Sequence, residues 1–199
     1  LHTHEGAGNA IYTYGRAIYA GVDVVDVAYS AFANGTSQPS MNSLYYVLTG
    51  HNPQPQINID YLEKISLYFE SVRPYYRCVD HTAPYPATEV YRHEMPGGQF
   101  SNLKQQAKSV GLGERWDDVK DMYHRVNMMF GDIIKVTPSS KVVGDMTLFM
   151  VQNNLTAEDV MEHGDTLDFP QSVIEFFEGR LGTPYQGFPE KLRKIVLKD

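Results

Sequence analysis

Two histidines near the start of the chain constrain its fold and its chemistry more than any other feature. His2 and His4 are separated by a single threonine. In an extended strand, residues two apart point to the same face, so the two imidazoles would stand side by side, about 6–7 Å apart. Neutral imidazole is a common ligand of divalent transition metals. On spacing alone, a metal site and a frayed or tag-derived N-terminus are equally good interpretations.

The residues that follow favour the metal interpretation. Residues 5–9 are typical of a tight turn, residues 10–20 carry apolar side chains at helical spacing, and residues 22–28 are a β-branched run typical of a buried parallel strand. A strand, a helix and a strand within about 30 residues form a βαβ unit. In such sheets ligands bind at the carboxyl ends of strands, where His2 and His4 would lie.

The rest of the chain is predicted to be mainly helical. Residues 89–93 are predicted as a last strand and residues 95–98 as a hinge-like turn. Ser40 and Thr156 are typical N-caps. Apolar spacing predicts helices over 41–48, 59–76, 101–110, 116–130, 139–153, 171–177 and 189–197. This order indicates an α/β part followed by an all-α part.

Composition argues against several classes of partner. The net charge of −7 and the isoelectric point near 5.5 argue against binding to DNA or RNA. No apolar run approaches the roughly 18 residues of a membrane span, so we expect no membrane partner. The single cysteine, Cys78, excludes an internal disulfide framework and fits a reducing compartment, for which we expect the cytoplasm. Because the chain opens inside a predicted strand and without methionine, we expect it to be a piece of a longer polypeptide.

Several motifs resemble the carboxyltransferase domain of pyruvate carboxylases, and the resemblance runs over essentially the whole chain. The two longest and most specific lie at residues 93–103 (HEMPGGQFSNL) and 135–145 (KVTPSSKVVGD). Related transcarboxylases and oxaloacetate decarboxylases share parts of the pattern, but residues 149–154 and 167–170 favour pyruvate carboxylase. The shorter matching motifs are His-Thr-His with Gly8-Asn9, residues 22–28 and residues 35–40.

The resemblance implies a fold and an activity. Residues 1–95 would be the end of a TIM-type (β/α)8 barrel, and residues 96–199 a helical conserved carboxylase subdomain that forms a funnel over the barrel mouth. The whole would be α/β and then mainly α. The implied function is part of a carboxyltransferase that moves CO2 from carboxybiotin, held by a biotin carrier domain, to pyruvate, giving oxaloacetate. We expect the isolated fragment to be inactive, because the family carries the first part of the barrel upstream.

Three alternatives remain at this point. The chain could belong to a biotin-dependent oxaloacetate decarboxylase or transcarboxylase subunit. It could be mainly a dimerisation and regulatory piece. It could also be part of a metal-dependent aldolase or lyase on the same barrel, although such an enzyme would not need the motif at 135–145.

The resemblance also assigns metal ligands. His2 and His4 match the family's two histidine ligands of a divalent metal, Mn or Zn. The family's other ligands, an aspartate and a carbamylated lysine, would lie upstream. The family usually has Asp-Thr-Ser where this chain has Glu5-Gly6-Ala7. This difference changes the groups that would support the ligands.

Three residues of the second long motif are candidates for the transfer chemistry. Thr137 precedes Pro138, which favours an extended backbone, and a helix is predicted to begin just after it. From the residues alone, a capping turn at Thr137 and a solvated Lys141 are the favoured interpretations. The resemblance instead implies that Thr137 relays a proton between the pyruvate methyl group and biotin, and that Ser140 and Lys141 line the biotin pocket.

A regulatory site is also implied. Some bacterial pyruvate carboxylases bind cyclic di-AMP where two carboxyltransferase domains meet, and the family forms pairs of dimers within a tetramer. Here Tyr19, Tyr46, Thr49 and Gly50 resemble that site, and Arg16 could meet a phosphate. From the residues alone, the tyrosines are more simply explained by packing at a subunit contact.

The remaining titratable residues are predicted to have ordinary roles. His93 is expected to be structural, and no catalytic role is favoured for Asp23 or Asp26. Surface or satisfied polar positions are predicted for His51, His81, His124 and His163.

Overall fold

The computed structural model describes residues 1–80 and 85–199, and the chain divides into two compact units, Leu1–Val90 and Tyr91–Asp199. His81, which is predicted to be a surface or satisfied polar residue, lies outside the described residues. Among the residues described, no helix is both long enough and apolar enough to cross a membrane.

The described residues of the first unit form three helices and extended connections. Its helices are α1 (Ala10–Tyr19), α2 (Met41–Leu48) and α3 (Ile59–Val72), with 3-10 turns at Ser30–Phe32 and Arg73–Val79. Helices α1 and α2 pack through Tyr14, Leu44 and Leu48. A hydrogen bond of 3.0 Å from Asn42 to Ser66 joins α2 to α3.

Two segments predicted as strands in the first unit are extended chain instead. The amino group of Leu1 donates to Val24 O at 2.6 Å, and Asp26 N donates to Leu1 O at 3.0 Å, so the two segments lie side by side. Ala28 makes an isolated parallel bridge with Ser40. The predictions of strands at the first residues and at 22–28 are therefore wrong in the described part of the chain, because a regular strand needs a continuous ladder. An apolar, β-branched pattern indicates that the backbone is extended, but it does not indicate that the segment pairs in a continuous ladder.

The predicted strand at 89–93 is also wrong. The short helix α4 (Val90–His93) occupies this position. Val90 N donates to Ala87 O, which starts a turn rather than a ladder. The β-propensity of valine and tyrosine is weak enough for local turn bonds to override it.

The second unit is helical throughout its described regular structure. Helix α7 is central, and its residues Val143, Met146 and Met150 are fully buried. A Cβ at Gly144 would overlap the Gln99 side chain, so glycine lets α7 approach α5 closely. The helices are α5 (Gly97–Ser109), α6 (Trp116–Met129), α7 (Ser139–Gln152), α8 (Ala157–His163), α9 (Gln171–Phe177) and α10 (Glu190–Leu197), with 3-10 turns at Gly113–Arg115 and Gly164–Thr166.

Most predicted helices are confirmed, with two corrections. Helix α3 ends at Val72 and continues as a 3-10 turn, because Pro74 has no N–H to donate to an α-helical carbonyl. The predicted turn at 95–98 is instead the entry to α5, which begins at Gly97 directly after Pro96. The predicted caps at Ser40 and Thr156 are confirmed, and Thr156 forms a complete capping box with Asp159.

Candidate functional site

The two histidines lie close together on the extended first segment. Their ring centroids are 5.2 Å apart, and the rings are nearly perpendicular. His2 Nδ1 lies 2.9 Å from Asp26 Oδ2, and His4 Nδ1 lies 2.5 Å from Thr36 O. Each imidazole therefore has an oxygen acceptor on its Nδ1 side, which selects the tautomer protonated at Nδ1 and leaves the lone pair on Nε2.

Tyr14 of α1 connects the two extended segments that carry these groups. Its side chain is fully buried. Its hydroxyl donates to Asp26 O at 2.7 Å and accepts from Thr3 N at 3.1 Å. Burial raises the pKa of Tyr14, so the phenol stays protonated and can donate. The helix thereby positions the histidine segment and the aspartate together.

The two imidazoles of His2 and His4, with their oxygen partners, fit one side of a metal site. Metal-ligating histidines usually donate their other ring N–H to a carboxylate or a backbone carbonyl, which are the partners of His2 and His4. Burial lowers the pKa of His4, which favours the neutral imidazole that binds metals. No group of three or more His, Cys, Asp or Glu side chains that could hold a metal occurs in residues 1–80 and 85–199. The described part of the chain therefore places two imidazole nitrogens together but does not contain a complete set of metal ligands.

Glu5 serves helix α1 rather than the histidines. Its carboxylate is buried and accepts from Ala10 N and Ile11 N, each at 2.9 Å. A carboxylate at a helix N-terminus satisfies unpaired N–H groups and complements the helix dipole. The carboxylate that supports a histidine directly is that of Asp26, which lies 2.9 Å from His2 Nδ1. Apart from its place in a β-branched run, nothing in the sequence indicates this role.

Thr137 lies in the exposed turn that leads into α7. Its peptide bond to Pro138 is cis. One side of the turn is fixed by Ser139, whose Oγ accepts from Val136 N at 3.1 Å and lies 2.7 Å from Val136 O. Thr137 thus lies two residues before Ser139, the first residue of α7.

Ser140 and Lys141 occupy the first turn of α7. Ser140 is buried, and its carbonyl accepts from the Tyr123 hydroxyl at 3.2 Å. Lys141 is exposed, and its Nζ lies 2.5 Å from Asp145 Oδ2. Asp145 also accepts from Ser172 Oγ of α9 at 2.6 Å. The i,i+4 spacing of Lys141 and Asp145 could have indicated this pair, but nothing in the sequence indicates Ser172.

The other histidines have different environments. His93 is buried and its Nδ1 accepts from Met95 N at 3.0 Å, which fits a structural role. His51 and His163 are exposed. The side chain of His124 is 42% exposed, and its Nδ1 atom is buried without a hydrogen-bond partner, 3.6 Å from Glu94 Oε1.

The candidate regulatory tyrosines lie at the ends of α1 and α2. Tyr19 is 44% exposed, and its ring meets the ring of His51 edge to face at 5.8 Å. Thr49 Oγ1 donates to the Tyr45 carbonyl at 3.0 Å, and Gly50 has a left-handed backbone at φ +78°. Tyr46 is 61% exposed. The structure brings Tyr19 beside the turn that contains Thr49 and Gly50.

Residues 90–199, more than half of the chain, match the family model described as the conserved carboxylase domain. The chain belongs to this family. Its relatives include the pyruvate carboxylases of Bacillus subtilis, 59% identical over 198 residues, and Staphylococcus aureus, 55% identical over 198 residues. The match covers 100% of this chain in both cases but only 17% of each relative's length.

Solved structures agree with these relatives. The carboxyl transferase domain of Rhizobium etli pyruvate carboxylase is 48% identical with a TM-score of 0.92, and the match covers 99% of this chain and 33% of that one. The same values hold for that domain solved with pyruvate and biocytin. The chain therefore corresponds to a fragment of the carboxyltransferase region of a pyruvate carboxylase.

Proposed function

We propose that the parent protein of this chain transfers CO2 from carboxybiotin to pyruvate and forms oxaloacetate, and that this chain supplies the proton relay and two metal ligands of the transfer site. The observation that carries the proposal is the similarity of the whole chain, including both long motifs, to pyruvate carboxylases. The decarboxylase and transcarboxylase alternatives have no comparable support.

Thr137 is the proposed relay. Its hydroxyl gives a proton to biotin as it receives one from the pyruvate methyl group, so the threonine itself ends unchanged. A threonine hydroxyl is a poor base in water and works only within hydrogen-bond reach of both partners. The exposed position of Thr137 before α7 is compatible with this role.

Ser140 and Lys141 are proposed to line the biotin pocket. The exposed ammonium of Lys141, held beside Asp145, would donate to the ureido oxygen and stabilise negative charge there during transfer. Ser140 is buried in the first turn of the same helix, where its backbone carbonyl is already bound by Tyr123.

His2 and His4 are proposed ligands of a divalent metal, Mn or Zn, that is completed by upstream residues. When bound, such a metal polarises and positions the substrate carbonyl as a Lewis acid. Asp26 and the Thr36 carbonyl would orient the two imidazoles.

We propose the finer architecture on the same grounds. Residues 1–95 would be the end of a (β/α)8 barrel, and residues 96–199 the helical subdomain. The parallel bridge between Ala28 and Ser40 supports the barrel, as does the hydrogen bond from Asp26 N to Leu1 O. The proposed parent acts in the cytoplasm with a biotin carrier domain and assembles as pairs of dimers. The chain alone, which spans 17% of its relatives, would have no turnover.

A second proposed function is the binding of cyclic di-AMP by the dimeric parent. The contact between Tyr19 and His51 favours it, because it brings an exposed aromatic ring to the Thr49–Gly50 turn. Two copies related by a twofold axis would present each tyrosine twice, once to each adenine. Calorimetry with cyclic di-AMP should show binding to the wild-type dimer, loss in Tyr19→Ala, and retention in the control Tyr61→Ala, an exposed tyrosine on α3.

The parent's reaction can be tested directly. Purified full-length protein with ATP, bicarbonate and pyruvate should form oxaloacetate, and replacing pyruvate by an acyl-CoA thioester should abolish carboxylation. If the protein decarboxylates oxaloacetate but forms none from ATP, bicarbonate and pyruvate, the decarboxylase alternative replaces this proposal.

A further inference from the structure

The two longest motifs of the chain are joined by an ion pair that their sequences do not indicate. Lys135 Nζ donates to Glu94 Oε2 at 2.9 Å, across 41 positions of sequence. The side chain of Lys135 is only 14% exposed, and that of Glu94 is 34% exposed. Lys135 precedes Thr137 by two residues, so the pair fixes the chain just before the proposed relay.

Glu94 keeps an unfavourable backbone conformation at this contact. Its φ is +57°, in the left-handed region. For a residue with a Cβ this conformation is unfavourable, because the Cβ comes too close to the following carbonyl oxygen. Strain of this kind persists where surrounding contacts hold the residue, and it concentrates at functional sites.

A second basic group faces the same carboxylate. His124 of α6 places its buried Nδ1 3.6 Å from Glu94 Oε1. Burial raises the pKa of Glu94, but the hydrogen bond and charge of Lys135, together with His124, outweigh it and hold the pKa below its usual value. Glu94 is therefore ionised at neutral pH and links two segments of the second unit.

The turn with Thr137 is thus held on both sides. On the upstream side, Lys135 binds Glu94. On the downstream side, the Ser139 hydroxyl binds Val136 N and lies 2.7 Å from Val136 O. Thr137 lies between these two contacts.

We propose that Glu94 is a positioning residue for the reaction, acting through Lys135 to hold the hydroxyl of Thr137 in place. This inference rests on the proposed function of Thr137. Misplacing a reacting group by about 1 Å can cost on the order of 100-fold in rate. Loss of the ion pair should therefore lower the rate of carboxyl transfer without lowering the affinity for pyruvate.

The test uses the full-length enzyme and measures oxaloacetate formation, bicarbonate-dependent ATP cleavage and thermal stability. Glu94→Gln and Lys135→Met should each lower kcat for transfer about 10- to 100-fold, with KM for pyruvate and ATP cleavage unchanged. Glu94→Gly should give the same loss even though glycine accepts the left-handed backbone, which guards against a folding defect in Glu94→Gln.

The matched control is a second lysine–carboxylate pair, whose two residues both lie on α6. Lys120 Nζ lies 2.9 Å from Asp117 Oδ1, and the Lys120 side chain is also 14% exposed. Asp117→Asn should leave transfer unchanged. If Glu94→Gln behaves like Asp117→Asn, or if it lowers transfer, ATP cleavage and stability together, the positioning role is wrong.

A double mutant separates this inference from the proposed function. In a Thr137→Ala background, Glu94→Gln should add no further loss of transfer, because the group it positions is already absent. A further tenfold loss would overturn the inference. If Thr137→Ala itself transfers normally, the proposed function fails first. If Thr137→Ala is inactive but Glu94→Gln and Lys135→Met transfer normally, only the inference fails.

Discussion

The two units of the chain hold their candidate residues in different ways. In Leu1–Val90, His2 and His4 lie on extended chain. Their rings are fixed by single hydrogen bonds to Asp26 and to the Thr36 carbonyl, and Tyr14 binds the backbone of Thr3 between them. In Tyr91–Asp199, the residues of α7 are fixed by a helix whose other face lies in a large apolar core. The first arrangement should be sensitive to the loss of one polar contact, and the second to the loss of core volume.

The largest expected effect is in the core of the second unit. Phe130 is fully buried and stacks on Phe176 at 5.5 Å between ring centroids. Phe130→Ala should therefore lower the free energy of opening in α6, α7 and α9 by about 3–5 kcal/mol. Hydrogen–deuterium exchange of the full-length parent measures this free energy of opening. Tyr185→Ala, at a tyrosine that is 99% exposed in the same unit, should change nothing, and equal effects of the two substitutions would contradict this description of the core.

The proposed metal ligands should show the next largest effect. His4→Ala removes one of two imidazoles, so metal affinity should fall by more than the roughly 10- to 100-fold typical of changes to groups that only support a ligand. Elemental analysis of the purified parent, dialysed against chelator, measures the bound metal. The control His51→Ala removes an exposed histidine of the same unit and should leave the metal content unchanged.

A supporting group should matter less than a ligand. Asp26→Asn keeps the shape of the side chain but removes the carboxylate 2.9 Å from His2 Nδ1, so metal affinity should fall about 10- to 100-fold. Metal titration of the chelator-treated parent measures the affinity. Asp23→Asn is the control on the same segment. If both substitutions are silent, Asp26 does not orient His2.

The smallest effect concerns the cap of α8 and depends on pH. Two hydrogen bonds from Thr156 lower the pKa of Asp159 below its usual value; the bond from the backbone N–H contributes most, and the bond from the hydroxyl contributes less. Because the folded pKa is depressed, the stabilisation is present above the unfolded pKa and is lost as pH falls through the folded pKa. Hydrogen exchange in α8, corrected for intrinsic rates, should therefore be faster in Asp159→Asn than in wild type at neutral pH, and the two should converge in acid. A difference that persists in acid would assign the effect to packing.

The same contrast explains which parts of the structure the sequence predicted. Helical periodicity and caps are local signals, so α2 and α9 are predicted to the residue, and the Thr156 cap is confirmed. The prediction of strands for the extended segments is wrong because strand pairing depends on neighbouring segments, which a local sequence pattern does not contain. Gly97 and Gly98 show a related effect: glycine's low helix propensity predicts a turn, but the buried Gly97 begins α5.

The candidate site was only partly predictable. The sequence indicates His2, His4, Thr137, Ser140 and Lys141 as candidates because they lie in recognisable motifs, and their roles stay predictions. The sequence does not indicate the partners that contact these motifs, because they lie far along the chain. Asp26 is 24 positions from His2, Glu94 is 41 positions from Lys135, and Ser172 is 27 positions from Asp145. Long-range pairs of this kind follow from tertiary packing and leave no periodic trace.

The role of Thr137 is the central claim, and two partial reactions of the full-length parent test it most directly. Thr137→Ala should lower pyruvate-dependent carboxyl transfer on the order of 10²- to 10⁴-fold, while bicarbonate-dependent ATP cleavage and metal content stay unchanged. Thr137→Ser, which keeps the hydroxyl, should retain most of the transfer. Near-normal oxaloacetate formation by Thr137→Ala would contradict the account and leave Thr137 as a residue of the turn before α7.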